Sequence, residues 1–378
     1  MRRVGIFRHN LFKLSEPFIA QQAQRLSRYQ PLYLGRLRYG AAPAGAEVLA
    51  LEDRTPRARL LPAAWHMLSA DPRPYLTLLA GREPALIHAH FGVEGVYALK
   101  LAARLDVPLL TTFHGFDATL STPGLLANPA WARYALGRGA LARRGALFLA
   151  ASGFLRGRLL ALGFPPERVR VHYIGVDTGA ITPRDLAEEE PVILHVARLE
   201  EVKGTAFLIR AFARIAAQFP AVRLVIIGDG KLRPALERLA REAGIAPRVA
   251  FLGARAHGEV LAWMRRAAVL ALPSVRTDSG REEGLGMVML EAAATGVPGV
   301  GSRVGGIPEG IAEGETGLLA PERDPEALAA ALATLLADPV LRQRMGAAAR
   351  ARAAACFDIR LQTAALEDLY DEILEGGA

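Results

Sequence analysis

Short runs rich in leucine and β-branched residues alternate with longer stretches of helical character from one end of the chain to the other. Strands separated by helix-length segments do not form tight hairpins. They pair in parallel through helical crossovers, and a parallel sheet needs helices on both faces. The alternation therefore predicts an α/β fold built on doubly wound sheets. In the first half, strands are expected at RRVGIF (2–7), QPLYLG (30–35), ALIHAH (85–90), PLLTTF (108–113), ALFLAAS (146–152) and VRVHYIG (169–175), with helices near 18–29, 93–105, 131–144 and 153–162. In the second half, PVILHVARL (191–199), RLVIIGDG (223–230), VAFLGA (249–254), AAVLALPS (267–274) and VPGVGS (297–302) alternate with helices near 204–217, 231–243, 257–266, 286–295 and 325–336.

A chain of 378 residues exceeds one ordinary core and fits two domains. Turn formers and an acidic stretch in DTGAITPRDLAEEEP, 177–191, place the break there. A last helix near 360–375 carries Leu361, Ala365, Leu366, Leu369 and Ile373 at helical spacing and is expected to pack against another element.

Residues 1–177 hold 23 basic and 11 acidic side chains, residues 178–378 hold 23 and 27, so the basic excess belongs to the first half. The arginines and lysines there are scattered, with no dense run or aromatic-basic module, which argues against nucleic acid as a partner. An anionic membrane surface or a phosphate-bearing lipid fits better. A general preference for arginine explains part of the count. No apolar run approaches the ~18 residues of a membrane span. His9, Asn10 and Lys13 interrupt the opening MRRVGIF before a signal-peptide core can form, so the expected location is cytoplasmic. Cys356, a single cysteine, suits a reducing compartment and reads as structural.

Three segments carry candidate chemistry. In REEGLGMVMLEAAATGVP (281–298), glycines precede a helix and Glu283 and Glu291 stand eight positions apart. On one helix that is ~12 Å, longer than the ~5–9.5 Å of a hydrolase carboxylate pair. Such carboxylates suit two ends of an extended ligand, with the backbone N–H groups of Gly286, Met287 and Val288 facing a diphosphate at the positive helix end. The plain alternative is a glycine-rich turn with an acidic residue before the helix. In HVARLEEVKG (195–204) a strand leads into a loop bearing Arg198 and Lys203, two cations where open α/β sheets bind ligands. Their plain alternative is a solvated loop paired to Glu200 and Glu201. In TTFHGFD (111–117) a strand delivers His114 and Asp117 around Gly115. His88 and His90 end another strand, but no further His or Cys completes a metal site there.

Several classes are excluded. The first strand-loop has only Gly5, so the dinucleotide Gly-X-Gly-X-X-Gly fingerprint is missing. Gly228 and Gly230 read as a tight turn at a strand end. Walker A, Gly-X-Ser-X-Gly and Asp-X-Asp motifs are absent, the last favouring a mechanism without metal.

Taken together these segments resemble the retaining GT-B glycosyltransferases of family 4. Glu283 and Glu291 match the family's pair of glutamates, Arg198 and Lys203 its phosphate loop, and His114, Gly115 and Asp117 its His-Gly-X-Asp. LSEPFI (14–19) and IHAHFG (87–92) resemble the branch that builds exopolysaccharides and lipopolysaccharides, with Pro17 where that branch has threonine. The resemblance implies two Rossmann-like domains facing across a cleft. Residues 1–177 would bind the acceptor, with 360–378 packing back on them, and 178–359 would bind a nucleotide diphosphate sugar.

On this resemblance Glu291 holds the ribose, Arg198 and Lys203 the diphosphate, and Glu283 the sugar hydroxyls. Gly228, Gly253 and Ala254 line the nucleotide, the 252–256 loop meeting the base through its backbone. His114 contacts the sugar near the reacting carbon, while Ser15, Glu16, His90 and Asp117 lie on the acceptor side. No cofactor or metal is expected, and a glycan or polyprenyl-linked acceptor is. The rival readings are an epimerase or phosphorylase of the same fold, and a catalytically idle nucleotide- or glycan-binding subunit.

Overall fold

The structure, a computed structural model, describes residues 1–13, 15–54 and 60–376. The chain divides into two compact units, Met1–Gly175 with Ile359–Ala378, and Val176–Asp358.

The first unit is built on seven strands, β1 (Arg2–Phe7), β2 (Tyr29–Gly35), β3 (Glu47–Ala50), β4 (Leu86–His90), β5 (Leu109–Phe113), β6 (Leu147–Ala150) and β7 (Val169–Val171), in the order β3-β2-β1-β4-β5-β6-β7. Every pairing is parallel. All five residues of β4 and of β5 are buried, as expected for strands covered on both faces. The direction of winding reverses between β1 and β4, which makes their carboxyl ends a topological switch point.

The terminal helix Ile359–Glu375 belongs to this unit. Leu366 and Tyr370 join the apolar cluster that contains Val4, Ile6 and Tyr29. The Tyr370 hydroxyl lies 2.6 Å from Nδ1 of His88, and the buried Glu367 carboxylate accepts the backbone N–H of Ser27 at 2.7 Å and of Arg28 at 2.6 Å. That contact explains one departure from the sequence reading. The helix expected over 18–29 ends at Ala23, because Ser27 and Arg28 give their N–H groups to a carboxylate more than three hundred residues away. Strand β3 and the helices Leu60–Ser69 and Arg73–Leu79 were not foreseen. Only two of the four β3 residues are buried, and the 60–69 helix lacks a clean amphipathic pattern.

The second unit repeats the plan with β8 (Glu190–Val196), β9 (Arg223–Ile227), β10 (Val249–Gly253), β11 (Ala267–Leu272), β12 (Gly299–Ser302) and β13 (Gly317–Ala320), ordered β10-β9-β8-β11-β12-β13 and all parallel. Two apolar clusters cover its faces, one with Phe212, Ile226 and Leu332, the other with Leu194, Leu270 and Met289. Its switch point lies between β8 and β11. Strand β13 and the helix Pro339–Cys356 are additions to the sequence reading. Residues 177–191 are held to the second unit: the Arg184 N–H donates to Thr295 O at 2.8 Å, and Arg184 pairs with Glu189 at 2.8 Å.

Candidate functional site

In the second unit two loops meet at the switch point. One follows β8 and carries Arg198 and Lys203 before the helix Thr205–Ile215; the other follows β11 and carries Ser274 and Glu283 before the helix Met287–Thr295. The loops are fastened through backbone. Val275 N–H donates to Val202 O at 2.9 Å, and a Cβ on Gly204, whose φ is +64°, would lie 1.8 Å from Pro273 O. Only glycine permits that approach without strain. His195, fully buried at the end of β8, braces the start of the 205–215 helix through Thr205 Oγ1 at 3.0 Å and sits 2.8 Å from Ala271 O. Burial lowers its pKa to about 4, so it is neutral at pH 7.

Lys203 Nζ reaches Glu283 Oε2 at 2.5 Å, and Ser274 Oγ donates to the same oxygen at 3.2 Å. Burial by itself would raise the Glu283 carboxyl, but the Lys203 ammonium and the Ser274 hydroxyl outweigh it and hold the group below the usual carboxylate range. The Glu283 backbone is gripped as well. Gly306 N–H donates to Glu283 O at 3.0 Å, and a Cβ on Gly305 would lie 2.2 Å from that oxygen. Arg198 is more exposed and pairs with Glu200 at 2.8 Å, as the plain reading of that loop anticipates. Lys203 takes Glu283 as partner instead of Glu200 or Glu201.

Glu283 and Glu291 do not share a helix. The helix starts at Met287, after Gly286 at φ +81°, so Glu283 stands on the preceding loop and the ~12 Å axial separation of a continuous helix does not apply. Gly286, Met287 and Val288 open the helix, where first-turn N–H groups lack intrahelical acceptors. Glu291 bonds Nε2 of His257 at 2.9 Å, and that hydrogen bond raises the His257 pKa. Gly228 N–H donates to Gly253 O at 2.9 Å, and a Cβ on Gly228 would meet Ala197 O at 1.9 Å. Three strand ends thus converge, with Ala254 exposed beside them.

The first unit places a second ion-pair system at its own switch point. Arg8, just after β1, forks onto Glu16 at 2.8 and 2.9 Å and also bonds Glu94, in the first turn of the helix Gly92–Leu105 that follows β4. Glu94 also faces Nδ1 of His9 at 3.3 Å. Burial would raise the Glu94 carboxyl, yet Arg8 and His9 bring it down to about 2. Ser15 is exposed beside Glu16, and Pro17 opens the helix Pro17–Ala23, a position where its missing N–H costs nothing. Leu14 of that motif lies outside the described residues.

His90 Nδ1 and His114 Nε2 are 3.1 Å apart, and the ring of His90 also stacks on His88 at 4.2 Å between centroids. Burial holds all three histidines well below the ordinary value. His88 is occupied by Tyr370 and Thr112, whereas Nδ1 of His114 is buried with no partner. Asp117, expected on the acceptor side, is tied into its own loop. Its carboxylate is buried and accepts the N–H groups of Gly92 at 2.9 Å, Gly115 at 2.9 Å and His114 at 3.2 Å, so it shapes the loop that carries His114. Phe91 adopts φ +77° between Arg8 and His114, its ring 4.5 Å from the guanidinium and 4.6 Å from the imidazole. Backbone strain of that kind collects at functional sites.

The sequence reading did not single out Arg8, Glu94, Ser274, His257 or the Gly305–Gly306 pair. Signals for two were present: Glu94 is a lone acid in the apolar window FGVEGVYAL, and Gly305 and Gly306 follow directly on a strand. Among the described residues no group of three or more His, Cys, Asp or Glu side chains is placed to hold a metal ion.

Two doubly wound units, each with a cation paired to a carboxylate at its switch point, define a protein of the GT-B architecture. The chain belongs to glycosyltransferase family 4: residues 25–180 match the model described as Glycosyltransferase Family 4 and residues 181–352 the model described as Glycosyl transferases group 1. It is 37% identical over 249 residues to the putative colanic acid biosynthesis glycosyltransferase WcaL of Salmonella typhimurium, a match covering 65% of this chain and 60% of that protein's length. It is 32% identical over 300 residues to a glycogen synthase of Mycobacterium tuberculosis, covering 76% of this chain and 68% of the relative. Among solved structures it resembles Anabaena Alr3699/HepE in complex with UDP-glucose, with a TM-score of 0.78 and 21% identity over 98% of this chain and all of that one.

Proposed function

We propose that this chain is a retaining glycosyltransferase that moves a hexose-type sugar from a nucleotide diphosphate sugar to a glycan or polyprenyl-linked acceptor in cell-surface polysaccharide synthesis. The observation that carries the reading is the Lys203–Glu283–Ser274 cluster at the switch point of the second unit, where open α/β sheets bind their ligands. The second unit is read as the donor side. Lys203 and Arg198 neutralise the diphosphate, the first turn at Gly286–Val288 faces its oxygens, Glu283 takes the sugar hydroxyls, and Glu291, steadied by His257, takes the ribose. Gly228 and Gly253 let backbone approach the nucleotide closely, with Ala254 at the base.

The chemistry asked of these groups is stabilisation of charge on the departing diphosphate and orientation of the sugar carbon. The leaving phosphate takes the acceptor proton, and the sugar stays on the same face. Lys203 and Arg198 supply the positive charge that a metal supplies elsewhere, so the reaction proceeds without one. The first unit is read as the acceptor side, with Ser15, Glu16 and His90 around the incoming hydroxyl and Asp117 holding the loop from which His114 contacts the donor sugar near the reacting carbon. The likeness to WcaL supports an exopolysaccharide acceptor, and UDP-glucose, the ligand of HepE, is the first donor to try. A lipid-linked acceptor places the reaction at the cytoplasmic face of a membrane. No helix among the described residues is long and apolar enough to cross one.

The test is product stereochemistry. An α-configured donor incubated with glycan or polyprenyl-phosphate-linked acceptors should give an α-linked product by NMR. A β-linked product would remove the retaining mechanism, and conversion of the donor in the absence of acceptor would favour an epimerase.

A further inference from the structure

The helix Leu60–Ser69 of the first unit wears its apolar residues outward. Leu61, Trp65 and Leu68 follow one another at the spacing of a single helical stripe and are 68%, 52% and 76% exposed, with Ala64 exposed among them. The opposite face is the packed one. His66 is buried against Phe7 and Tyr75, at ring distances of 6.4 and 5.0 Å. The exposed stripe is not a loose surface: Nε1 of Trp65 donates to Asp71 at 3.1 Å, which anchors the polar edge of the indole and leaves its apolar body in solvent. A contiguous apolar patch on an otherwise charged protein marks a surface made to be covered.

The charge around the stripe indicates what covers it. Residues 60–70 contain no carboxylate. The next carboxylate, Asp71, is neutralised by Arg73 at 2.7 Å. Arg133, on the helix Pro129–Arg144, bonds the carbonyl of Leu68, so the two helices are neighbours. That second helix carries four arginines and no carboxylate, and Leu136, one turn beyond Arg133, is 81% exposed. Lys100 lies 3.5 Å from the Ser69 carbonyl. An exposed tryptophan and leucines beside an arginine-bearing helix without carboxylates, with Asp71 paired, is the composition of an element that lies in the interface of an anionic bilayer.

We infer that the stripe Leu61–Trp65–Leu68, together with Leu136, docks the first unit on an anionic phospholipid surface. The apolar side chains enter the acyl boundary and the neighbouring arginines meet lipid phosphates. A bare cluster of positive charge would be stripped by salt, since exposed charges are screened beyond roughly 8 Å at physiological ionic strength. Leucine and tryptophan insertion is not screened, so part of the binding persists in salt. The inference rests on the proposed lipid-linked acceptor for its purpose, and its test reads binding without turnover.

The full chain is mixed with phosphatidylcholine vesicles, with and without phosphatidylglycerol. Co-sedimentation is measured together with tryptophan emission, with Trp65→Phe as the control that identifies the reporting indole. The expected result is sedimentation with the anionic vesicles that salt only partly reverses, and a shift of emission to shorter wavelength that Trp65→Phe abolishes. The double variant Leu61→Glu/Leu68→Glu, altered only at exposed positions, should keep its melting temperature and lose vesicle affinity by tenfold or more, on the order expected from two leucines no longer leaving water. With a water-soluble acceptor its turnover should equal that of the unaltered chain, which separates this surface from the transfer chemistry. Unchanged Trp65 emission, equal sedimentation of the double variant, or dimers in light scattering that the double variant disperses without any vesicle binding would each overturn the inference.

Discussion

Lys203 Nζ stands 2.5 Å from Glu283 Oε2 although eighty positions separate the two residues in the chain. Each comes from a loop at one side of the second unit's switch point. The same arrangement recurs in the first unit, where Arg8 after the first strand meets Glu94 after the fourth. In the second unit the pair is only partly buried, at 18% and 14% side-chain exposure, so a ligand can reach both members.

Replacing either member with a near-isosteric neutral residue should stop transfer while leaving the fold. Lys203→Met and Glu283→Gln are expected to lower kcat by roughly 10²–10³, the range found when one charge-stabilising group is removed. Melting should move much less, and a steady-state assay beside a melting curve checks both. Turnover close to that of the unaltered chain in either variant would detach this pair from the chemistry.

Glycine at 204 is required by backbone contact. Gly204→Ala places a Cβ 1.8 Å from Pro273 O at φ +64°, so the loops after β8 and β11 must part. Gly163 has φ +84° with nothing within 4 Å, so Gly163→Ala suffers only the conformational strain of about 1–2 kcal/mol. Chemical denaturation should show the first substitution costing clearly more than the second, and only the first should also weaken nucleotide-sugar binding.

Acid should unfold the first unit before the second. His9, His66 and His172 are held at about 4, 3 and 4 by burial, and His88, His90 and His114 are also held well below their ordinary value. All six belong to the first unit; among the lowered histidines, only His195 lies in the second. An unfolded chain protonates these rings near pH 6.5, so unfolding takes up protons and stability falls as pH drops from about 6.5 toward 4. Each fully depressed histidine contributes on the order of 2 kcal/mol of that loss between neutral pH and pH 5. Asp117, raised by burial to about 6, works in the opposite direction, but it is one group against six. Calorimetry from pH 7.5 to 5 should show one transition moving down steeply, and a single transition that stays fixed would contradict the assignment.

His257 positions Glu291. The imidazole holds one carboxylate oxygen at 2.9 Å, and in the proposed donor site the other takes the ribose. Glu291→Ala is expected to weaken nucleotide-sugar affinity more than His257→Ala, with the latter costing roughly three- to tenfold, the net worth of one typical hydrogen bond. Calorimetric titration of both variants with the same nucleotide sugar distinguishes the two effects. Equal losses would mean that His257 meets the ligand itself.

The parallel α/β plan was legible because the strand signals at RRVGIF, ALIHAH and PVILHVARL are nearly continuous apolar runs, the pattern of strands buried on both faces. Strand order was not legible, and with it the placing of Arg8 beside Glu94 or Lys203 beside Glu283, since these pairings depend on which strands neighbour one another at the switch points. The helix starts at Met287, where it was expected, so the ~12 Å spacing on one helix does not describe Glu283 and Glu291: Glu283 lies on the loop before Gly286, whose φ is positive. Tertiary capture of backbone, as by Glu367 at Ser27 and Arg28, leaves no local trace. The His114 turn was located from its strand and glycine, but the inward turn of Asp117 depends on three backbone donors, one of them, Gly92, from a separate segment.

The central claim is that the Lys203–Glu283 switch point binds the diphosphate of a nucleotide sugar without metal, and thermal unfolding tests it most directly. The protein is melted in EDTA with UDP-, GDP- and ADP-sugars, beside Lys203→Met and Glu283→Gln. One nucleotide sugar should raise the melting temperature of the unaltered chain, by an amount equivalent to about 2.7 kcal/mol at a hundredfold excess over Kd, and should shift neither variant appreciably. An equal shift in all three proteins, or no shift with any nucleotide sugar, would contradict the claim.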